Sequence, residues 1–241
     1  MENEYSLSVV ICAVDETFSL ERTFRKLDGY GGADEYLFVL SKTCTPECLA
    51  TVERLCDRPD CRWVYQSAAG FGNAIRDAFG MVRGTHMVVW SADEATDVSS
   101  FPEMLRLSKE NPEKIVKISR WLHPDGFDGY GRLNKFLNYV SQRAFGLLFR
   151  SDLTEFTNPT QIAPVAVYRR IRWQHTGFDF LPEPVFKPLK LGVGFIEVPT
   201  KNVPREEGRS HNTFFSHIWY YRTILQIFFT KPEDLVEEAK P

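Results

Sequence analysis

Three acidic residues follow a short apolar stretch near the middle of the chain: Asp93, Glu94 and Asp97. The preceding residues 87–90 are all apolar, which is typical of a strand buried on both faces of a sheet. In open α/β sheets, ligands bind beyond the carboxyl ends of the strands, so acidic groups at this point are well placed for a site. The alternative is a solvated acidic turn that opens the next helix, with Ser100 and Glu103 as a capping box.

A loop of small residues, 66–72, precedes a predicted helix over residues 73–83. Its continuation, AAGFGNAIRDAF, has the glycines of a phosphate-binding loop but contains neither GxGxxG nor GxxxxGKS/T. A tight turn between a strand and a helix explains these glycines equally well. Both interpretations therefore stay open at this point.

Strands and helices alternate along the chain, with short links between them. Strands are predicted over residues 7–14, 35–40, 61–65, 87–90, 115–119, 161–167 and 193–199. Helices are predicted over 19–27, 45–56, 73–83, 132–149 and 182–191, with a further helix opening near residue 100. The loop between residues 121 and 131 is rich in Gly, Asp and aromatic residues and is predicted to be mobile. This alternation indicates βαβ units and a largely parallel sheet in an α/β fold.

The composition excludes several classes of protein. The chain has 241 residues, of which 43% are hydrophobic and 25% charged, and its net charge is -3. A protein that binds nucleic acid needs a marked excess of positive charge, so that class is excluded. The five cysteines have no metal-binding spacing and are expected to be reduced thiols. With no signal peptide and no apolar run long enough to span a bilayer, the chain is expected to be cytoplasmic.

The segment over residues 214–229 is aromatic and aliphatic around most of its circumference. If it is helical, it is too hydrophobic for a free surface helix and too short to span a membrane. It is expected to pack on its own domain, on a second subunit, or on a membrane surface, which would place the protein at the inner membrane face. The predicted organisation is a domain over residues 1–212, followed by a hydrophobic helix and tail over 213–241.

Six segments resemble, in the same order, the motifs of the family 2 glycosyltransferases of GT-A fold. They are SVVICAVDETFSLERTF, GFGNAIRDAF, WSADEATD, the strand end Ser119–Arg120, SDLT at 151–154, and EVPTKNVPREEGRSHN. Within the family, the chain is most similar to the polyprenyl-phosphate branch, which includes the dolichyl-phosphate mannose synthases. The resemblance spans about residues 7–229 and implies a single GT-A (Rossmann-like) domain, with a mixed, mostly parallel sheet flanked by helices.

The resemblance implies transfer of a sugar from a nucleotide-sugar donor to a polyprenyl-phosphate or glycan acceptor, with inversion. A divalent cation, Mg²⁺ or Mn²⁺, would neutralise the charge that develops on the leaving diphosphate. Asp93 is implied as its ligand, supplemented by Glu94 or Asp97. However, Ser91 stands where the family has the first acid of its Asp-x-Asp motif, and Ala95 stands where the polyprenyl branch often has Gln.

The remaining site residues are assigned partly from the same resemblance and partly from their residue type and position. Catalytic roles are assigned to Asp93, Asp152, Glu155 and Arg205. Nucleotide binding is assigned to Ala13, Asp15, Glu16, Ser41, Gly72, Asn73 and Ala92, and phosphate or acceptor binding to Arg120, Arg132, Arg209 and Ser210. Leu40–Ser41 replaces a pair of aspartates in the family, so the contact with the base is altered. A hydroxyl acceptor needs a general base, for which Asp152, Glu155 and Glu183 are candidates, whereas a lipid phosphate needs none.

Two other functions compete with glycosyl transfer. The missing acids at positions 40, 41 and 91 favour a catalytically degenerate protein that keeps the fold and binds a nucleotide sugar. A nucleotidyltransferase on a similar sheet is the third hypothesis, although the chain has no glycine-rich phosphate loop near its N-terminus.

Overall fold

A computed structural model describes residues 4–203 and 214–237 of the chain. Its sheet has seven strands, β1 Leu7–Ala13, β2 Glu35–Leu40, β3 Cys61–Tyr65, β4 His86–Ser91, β5 Ile115–Ser119, β6 Gln161–Pro164 and β7 Phe195–Pro199. They lie in the order β3-β2-β1-β4-β6-β5-β7, and β6 runs antiparallel to both of its neighbours. The predicted α/β fold with a mixed, mostly parallel sheet is therefore confirmed.

Eight α-helices connect or flank these strands in the described residues. They are α1 Phe18–Tyr30, α2 Pro46–Leu55, α3 Phe71–Met81, α4 Phe101–Glu110, α5 Arg132–Phe149, α6 Val165–Arg170, α7 Glu183–Lys190 and α8 Phe214–Phe229. The start of α2 follows the predicted signal, because the Thr45 side chain accepts a hydrogen bond from the Cys48 amide and Pro46 occupies the first helical position. At the C-terminal end of α5, Arg150 adopts a left-handed conformation that terminates the helix.

The core lies on both faces of the sheet. On one face, strand residues such as Phe38 and Trp90 pack with Leu20 and Phe24 of α1 and with Phe101 of α4. On the other face, a second cluster joins the strands to the apolar side of α3 and to α6. Full burial of each large apolar side chain contributes about 1.5–3 kcal/mol, so the sheet holds its strand ends in fixed relative positions.

Two predicted elements differ from the structure. The strand predicted over 161–167 ends at Pro164, and α6 follows immediately. Proline has no amide hydrogen for a continuing ladder, and its fixed φ suits the residue before a helix. The predicted mobile loop after Arg120 is not wholly exposed, since Phe127 is buried and its ring centroid lies 4.3 Å from that of Trp121.

A third apolar cluster joins α5, α7 and α8. Tyr220, Ile224 and Ile227 of α8 are buried against residues that include Phe145 of α5 and Phe186 of α7. The lysine side chain of Lys190 also donates to the carbonyls of Ile227 and Phe228. One side of α8 therefore packs on its own domain. Within the described residues, the helices are all too short or too polar to cross a bilayer.

The apolar stripe that predicts α5 faces outward for much of its length. Leu133, Phe136 and Leu147 are exposed, whereas Gln142 and Phe145 are the buried residues of this helix. Helical periodicity identifies the helix correctly, but it does not identify the side that faces the core.

Candidate functional site

Asp15, Asp93 and Arg120 lie just beyond the carboxyl ends of three strands on the same edge of the sheet. Strand β1 is parallel to β4, with Cys12 opposite Ser91. Strand β5 points the same way as β4, because both are antiparallel to β6. The fold therefore brings together predicted site residues that are far apart in the sequence, as expected for a ligand site in an open α/β sheet.

The turn after β4 holds Asp93 in a defined orientation. The Ser91 hydroxyl donates to the Asp93 carboxylate, and the Ala95 amide donates to the same carboxylate oxygen at 3.1 Å. The serine that replaces the first family acid thus positions the remaining one. A side chain held by local hydrogen bonds loses less conformational entropy when it binds a ligand.

Glu94 is engaged in an ion-pair cluster with two basic residues of α1. Its backbone is left-handed, with φ of 56°, and its side chain is buried. Arg22 Nε donates to Glu94 Oε2 at 2.8 Å, and Lys26 Nζ donates to Oε1 at 2.7 Å. Burial raises the pKa of this carboxyl, but its hydrogen bonds to the two basic side chains outweigh burial and lower the pKa below 4.5.

Asp97 is also engaged in local structure. Its carboxylate accepts hydrogen bonds from the Ser99 amide at 3.0 Å and from the Ser99 hydroxyl at 2.8 Å. Asp97 therefore caps the turn before α4, and the expected capping box is wrong, because the Ser100 hydroxyl donates to the Asp97 carbonyl and Glu103 pairs with Arg106. Lys201, just after β7, lies 3.8 Å from the Asp97 carboxylate.

The donor set around Asp93 fits only a weakly held cation. Across residues 4–203 and 214–237, no three His, Cys, Asp or Glu side chains are grouped so that they could hold a metal. Mg²⁺ is often bound through one or two carboxylates plus substrate phosphates and water. Asp93 therefore fits a cation that arrives with a diphosphate, but not one bound by the protein alone.

The predicted nucleotide-binding residues at the exits of β1, β2 and β4 lie in one neighbourhood. Ala13 and Ala92 are buried, while Asp15 is exposed. The Ser41 amide donates to the Ala13 carbonyl at 3.1 Å, which extends the pairing of the two strands. Glu16 folds back and accepts the Val14 amide at 2.9 Å. The structure thus places these residues together, and their role in nucleotide binding stays a prediction.

Gly72 and Asn73 have clear packing roles at the start of α3. A Cβ on Gly72 would lie 2.6 Å from the Cβ of Phe180 and 2.8 Å from the carbonyl carbon of Thr176. The Asn73 amide donates to the Thr176 carbonyl at 3.3 Å. Close helix packing thus accounts for this glycine without a phosphate, which favours the strand-to-helix turn over the glycine loop.

Arg120 and Glu155 form a buried two-point ion pair beyond β5. Arg120 Nε donates to Glu155 Oε2 at 2.8 Å, and a terminal nitrogen donates to Oε1 at 3.1 Å. Burial raises the pKa of Glu155, but the Arg120 guanidinium outweighs burial, so the pKa lies below its ordinary value. This geometry does not fit the predicted general-base role of Glu155, because the side chain has no exposed surface and its lowered pKa makes the carboxylate a weak proton acceptor.

Two further residues, which the sequence analysis did not identify, donate hydrogen bonds to Glu155. Gln142, buried on α5, donates to Glu155 Oε1 at 3.3 Å and accepts the Phe156 amide at 2.7 Å. Lys117 of β5 is fully buried and donates to the Glu155 carbonyl, and burial lowers its pKa to about 8. A lysine within an otherwise apolar strand is a sequence signal for such a partner, whereas Gln142 carries no comparable signal.

Three of the six resembling segments meet through one hydrogen-bonded chain. The Ser119 hydroxyl lies 2.7 Å from the Thr154 hydroxyl, which donates to Glu197 at 3.0 Å. Glu197 of β7 also accepts the Thr154 and Glu155 amides, each at 2.8 Å. These contacts fix the loop that carries Asp152 against the end of β5 and the middle of β7.

The other predicted site residues have different environments. Asp152 is exposed, and Arg132 is exposed at the first residue of α5. Glu183 is fully buried and contacts Lys187 Nζ at 2.9 Å and His175 Nδ1 at 2.8 Å, so it does not fit the general-base role either. Arg205, Arg209 and Ser210 lie outside the described residues.

The chain is similar to known proteins in sequence and in fold. Residues 8–171 match the family model for glycosyl transferase family 2. A search of curated proteins gave no significant match. Among solved structures, the chain is similar to glucosyl-3-phosphoglycerate synthase from Mycobacterium tuberculosis in complex with Mn²⁺, UDP and phosphoglyceric acid. That match has a TM-score of 0.69 and 14% identity, and it covers 94% of this chain and 79% of the synthase.

Other complexes of the same synthase give nearly the same superposition. One contains Mn²⁺, UDP-glucose and phosphoglyceric acid, with a TM-score of 0.68, 14% identity and coverage of 93% of this chain and 80% of that one. Another contains Mg²⁺ and UDP, with a TM-score of 0.69, 14% identity and coverage of 93% and 79%. At this level of identity, the likeness establishes a shared fold.

Proposed function

Because the chain belongs to glycosyl transferase family 2, we propose that it transfers a sugar from a nucleotide-sugar donor to an anionic acceptor, with inversion. The observation that carries this proposal is the shared edge on which Asp15, Asp93 and Arg120 lie. The nucleoside occupies the exits of β1 and β2, and the diphosphate lies beside Asp93. The acceptor lies toward the exits of β5 and β7, beyond β6.

Charge on the leaving diphosphate is the main electrostatic problem of this reaction. A divalent cation, when bound, supplies Lewis-acid stabilisation of that diphosphate, and Asp93 is the residue that would hold it. Arg205 and Arg209 are proposed to neutralise further phosphate charge, since arginine stays charged and can bind phosphate through two nitrogens. Two nitrogens of Arg120 already donate to Glu155. We therefore assign Arg120 to positioning the acceptor rather than to neutralising the phosphate charge by itself.

We propose a lipid phosphate, rather than a glycan hydroxyl, as the acceptor. Two of the three general-base candidates, Glu155 and Glu183, are buried and ion-paired. An acceptor that is already anionic needs no base, so this arrangement suits a phosphate. Asp152 is the remaining exposed candidate if the acceptor is a hydroxyl.

A second function is favoured by one specific observation. Ser91 replaces an acid, and Glu94 is held by Arg22 and Lys26, so a single acid remains at the predicted diphosphate position. A catalytically degenerate protein that binds a nucleotide sugar would have this pattern. Such a protein would bind a donor without transferring its sugar.

The test combines donor binding with transfer. UDP-, GDP-, CMP- and dTDP-sugars are screened by thermal shift with and without Mn²⁺, followed by transfer assays to a polyprenyl phosphate and to a glycan. A donor at 100 times its dissociation constant stabilises the fold by about 2.7 kcal/mol. We expect Asp93→Asn to lose transfer and Glu113→Gln to retain it, because Glu113 is exposed just before β5, at the opposite edge of the sheet. Binding without transfer to either acceptor would support the degenerate protein, and no donor binding would refute both.

A further inference from the structure

The outer sides of α5 and α8 expose large apolar side chains. They are Leu133, Phe136 and Leu147 on α5, and Trp219, Leu225 and Phe229 on α8. Leu147 is 84% exposed and Phe229 is 78% exposed, although both belong to helices whose other sides are buried. Isolated exposed apolar residues are ordinary, but six on two helices mark an interaction surface.

These two helices contact each other directly. The Ser141 hydroxyl of α5 lies 2.9 Å from the Tyr221 hydroxyl of α8, and the Phe149 and Phe228 ring centroids lie 5.7 Å apart. The exposed residues therefore belong to neighbouring helices of one surface, which we call the α5–α8 face.

The charge of this face is positive, although the whole chain has a net charge of -3. Helices α5 and α8 contain Arg132, Lys135, Arg143 and Arg222 and no Asp or Glu. The Arg143 guanidinium lies 5.1 Å from the centre of the Tyr139 ring, and that of Arg222 lies 4.9 Å from the centre of the Trp219 ring. Cations thus lie beside the exposed aromatic side chains, as in helices that bind at a membrane interface.

The charge pattern favours one occupant of the face. Two copies meeting through identical faces would bring positive groups against positive groups, which disfavours self-association. The segment 204–213, PREEGRSHNT, has no large aliphatic residue and no Phe, Tyr or Trp with which to cover the face. We propose that the α5–α8 face docks on an anionic lipid bilayer, with its apolar side chains at the acyl boundary and its cations among the headgroups.

This inference rests on the proposed function and deepens it, because a protein docked in this way would meet a lipid-phosphate acceptor at the membrane surface, where the phosphate lies. It does not depend on the donor site, since docking requires neither a donor nor Asp93. The two proposals can therefore fail separately. The first is refuted if the wild-type protein binds no donor, and the second is refuted if it does not bind lipid vesicles.

The test is co-sedimentation of the full chain with vesicles, without donor or metal. Vesicles of phosphatidylcholine alone are compared with vesicles that also contain phosphatidylglycerol. We expect binding to the anionic vesicles that weakens about tenfold or more in the double variant Phe136→Ser/Leu147→Ser. The variant Arg143→Gln should weaken binding about fivefold, because each basic group near the surface contributes to attraction.

Matched control variants distinguish docking through this face from nonspecific binding to vesicles. Tyr30 at the end of α1 is about as exposed as several residues of the face, and Lys109 is an exposed cation on α4. Tyr30→Ser and Lys109→Gln should bind vesicles like the wild type. Equal binding to neutral vesicles, equal loss in the controls, or no binding at all would overturn the proposal. So would a dimer in analytical ultracentrifugation that Leu147→Ser dissociates, because the occupant would then be a second copy.

Discussion

Arg120 and Glu155 are joined by two hydrogen bonds in a site where Glu155 is fully buried, so the exit of β5 and the segment before β6 are held as one unit. Gln142 extends this unit to α5, and Thr157 donates to Glu155 Oε1 at 2.5 Å. The carboxylate that sequence analysis assigns to proton transfer is thus better explained as the group that orients Arg120.

Removing one partner of this pair is expected to be strongly destabilising. Glu155→Gln should lower the free energy of unfolding by about 3–5 kcal/mol, because it leaves the Arg120 guanidinium buried without its counterion. The measurement is urea unfolding followed by circular dichroism. Glu103→Gln is the matched control, since Glu103 and Arg106 form an exposed pair, and it should leave the unfolding midpoint nearly unchanged. Equal midpoints for the two variants would contradict the prediction.

Stability is expected to fall as the pH drops below about 4.5. The pKa values of Glu94 and Glu155 are lower in the folded protein than their ordinary value of 4.5, so the unfolded chain takes up protons first. Their contribution is complete above pH 4.5 and is lost as the pH falls toward the folded pKa values. Each such group adds a slope of up to about 1.4 kcal/mol per pH unit. Unfolding free energies between pH 7 and 3 measure it, and the slope should be shallower in Glu155→Gln.

Two alanine substitutions in α3 should have opposite effects. Gly72→Ala places a methyl group against Phe180 and Thr176 and should cost about 1–3 kcal/mol of stability. Gly80→Ala meets no atom within 4 Å and should stabilise the helix by about 0.5–1 kcal/mol. Chemical unfolding of both variants is the measurement. If donor binding fell in Gly72→Ala while stability stayed constant, the glycine would serve the ligand rather than packing.

Restoring the missing acid should strengthen cation binding. Ser91→Asp adds a second carboxylate beside Asp93 and should tighten Mn²⁺ binding about tenfold, because affinity for divalent ions rises with the charge of the ligands. Isothermal titration with Mn²⁺ in the presence of UDP measures the change. Ser91→Asn has nearly the same shape without the charge and should give no tightening. Equal affinities in the two variants would place the cation away from residue 91.

The role of Asp152 distinguishes the two acceptor classes. If the acceptor is a lipid phosphate, Asp152→Asn should keep kcat within about threefold of the wild type, since no proton must be removed. Loss of a general base would instead lower kcat about 100-fold to 10,000-fold. Steady-state transfer with a saturating donor gives this value. A large loss of kcat would refute the lipid-phosphate acceptor and favour a hydroxyl acceptor.

The main features of the fold follow from the sequence, because apolar runs such as residues 35–40 and 115–119 are bounded by clear turn and cap residues. The edge that gathers Asp15, Asp93 and Arg120 follows from the same alternation of strands and helices. The tertiary partners of the site residues do not follow from the sequence. The basic groups that pair with Glu94 lie at positions 22 and 26, more than sixty residues earlier in the chain.

The orientation of α5 has a similar explanation. Its apolar stripe predicts a helix, yet the side that faces the core carries Phe145 and Gln142, and Gln142 hydrogen-bonds to Glu155 and to the Phe156 amide. A buried polar network of this kind depends on partners from separate segments, and no local pattern in the sequence specifies it. Glu183 differs, because its partner Lys187 is one turn away in the same helix and His175 is eight residues away; the sequence pattern could predict the pairing, but not its burial.

The antiparallel direction of β6 means that this strand begins, rather than ends, at the edge that carries the site. It separates the exits of β4 and β5 by two strand spacings, or roughly 10 Å. At such distances, the free-energy effects of substitutions usually add. Substitutions beside β4 that change donor preference and substitutions beside β5 that change acceptor preference are therefore expected to combine with nearly additive effects, so each preference can be altered without retuning the other.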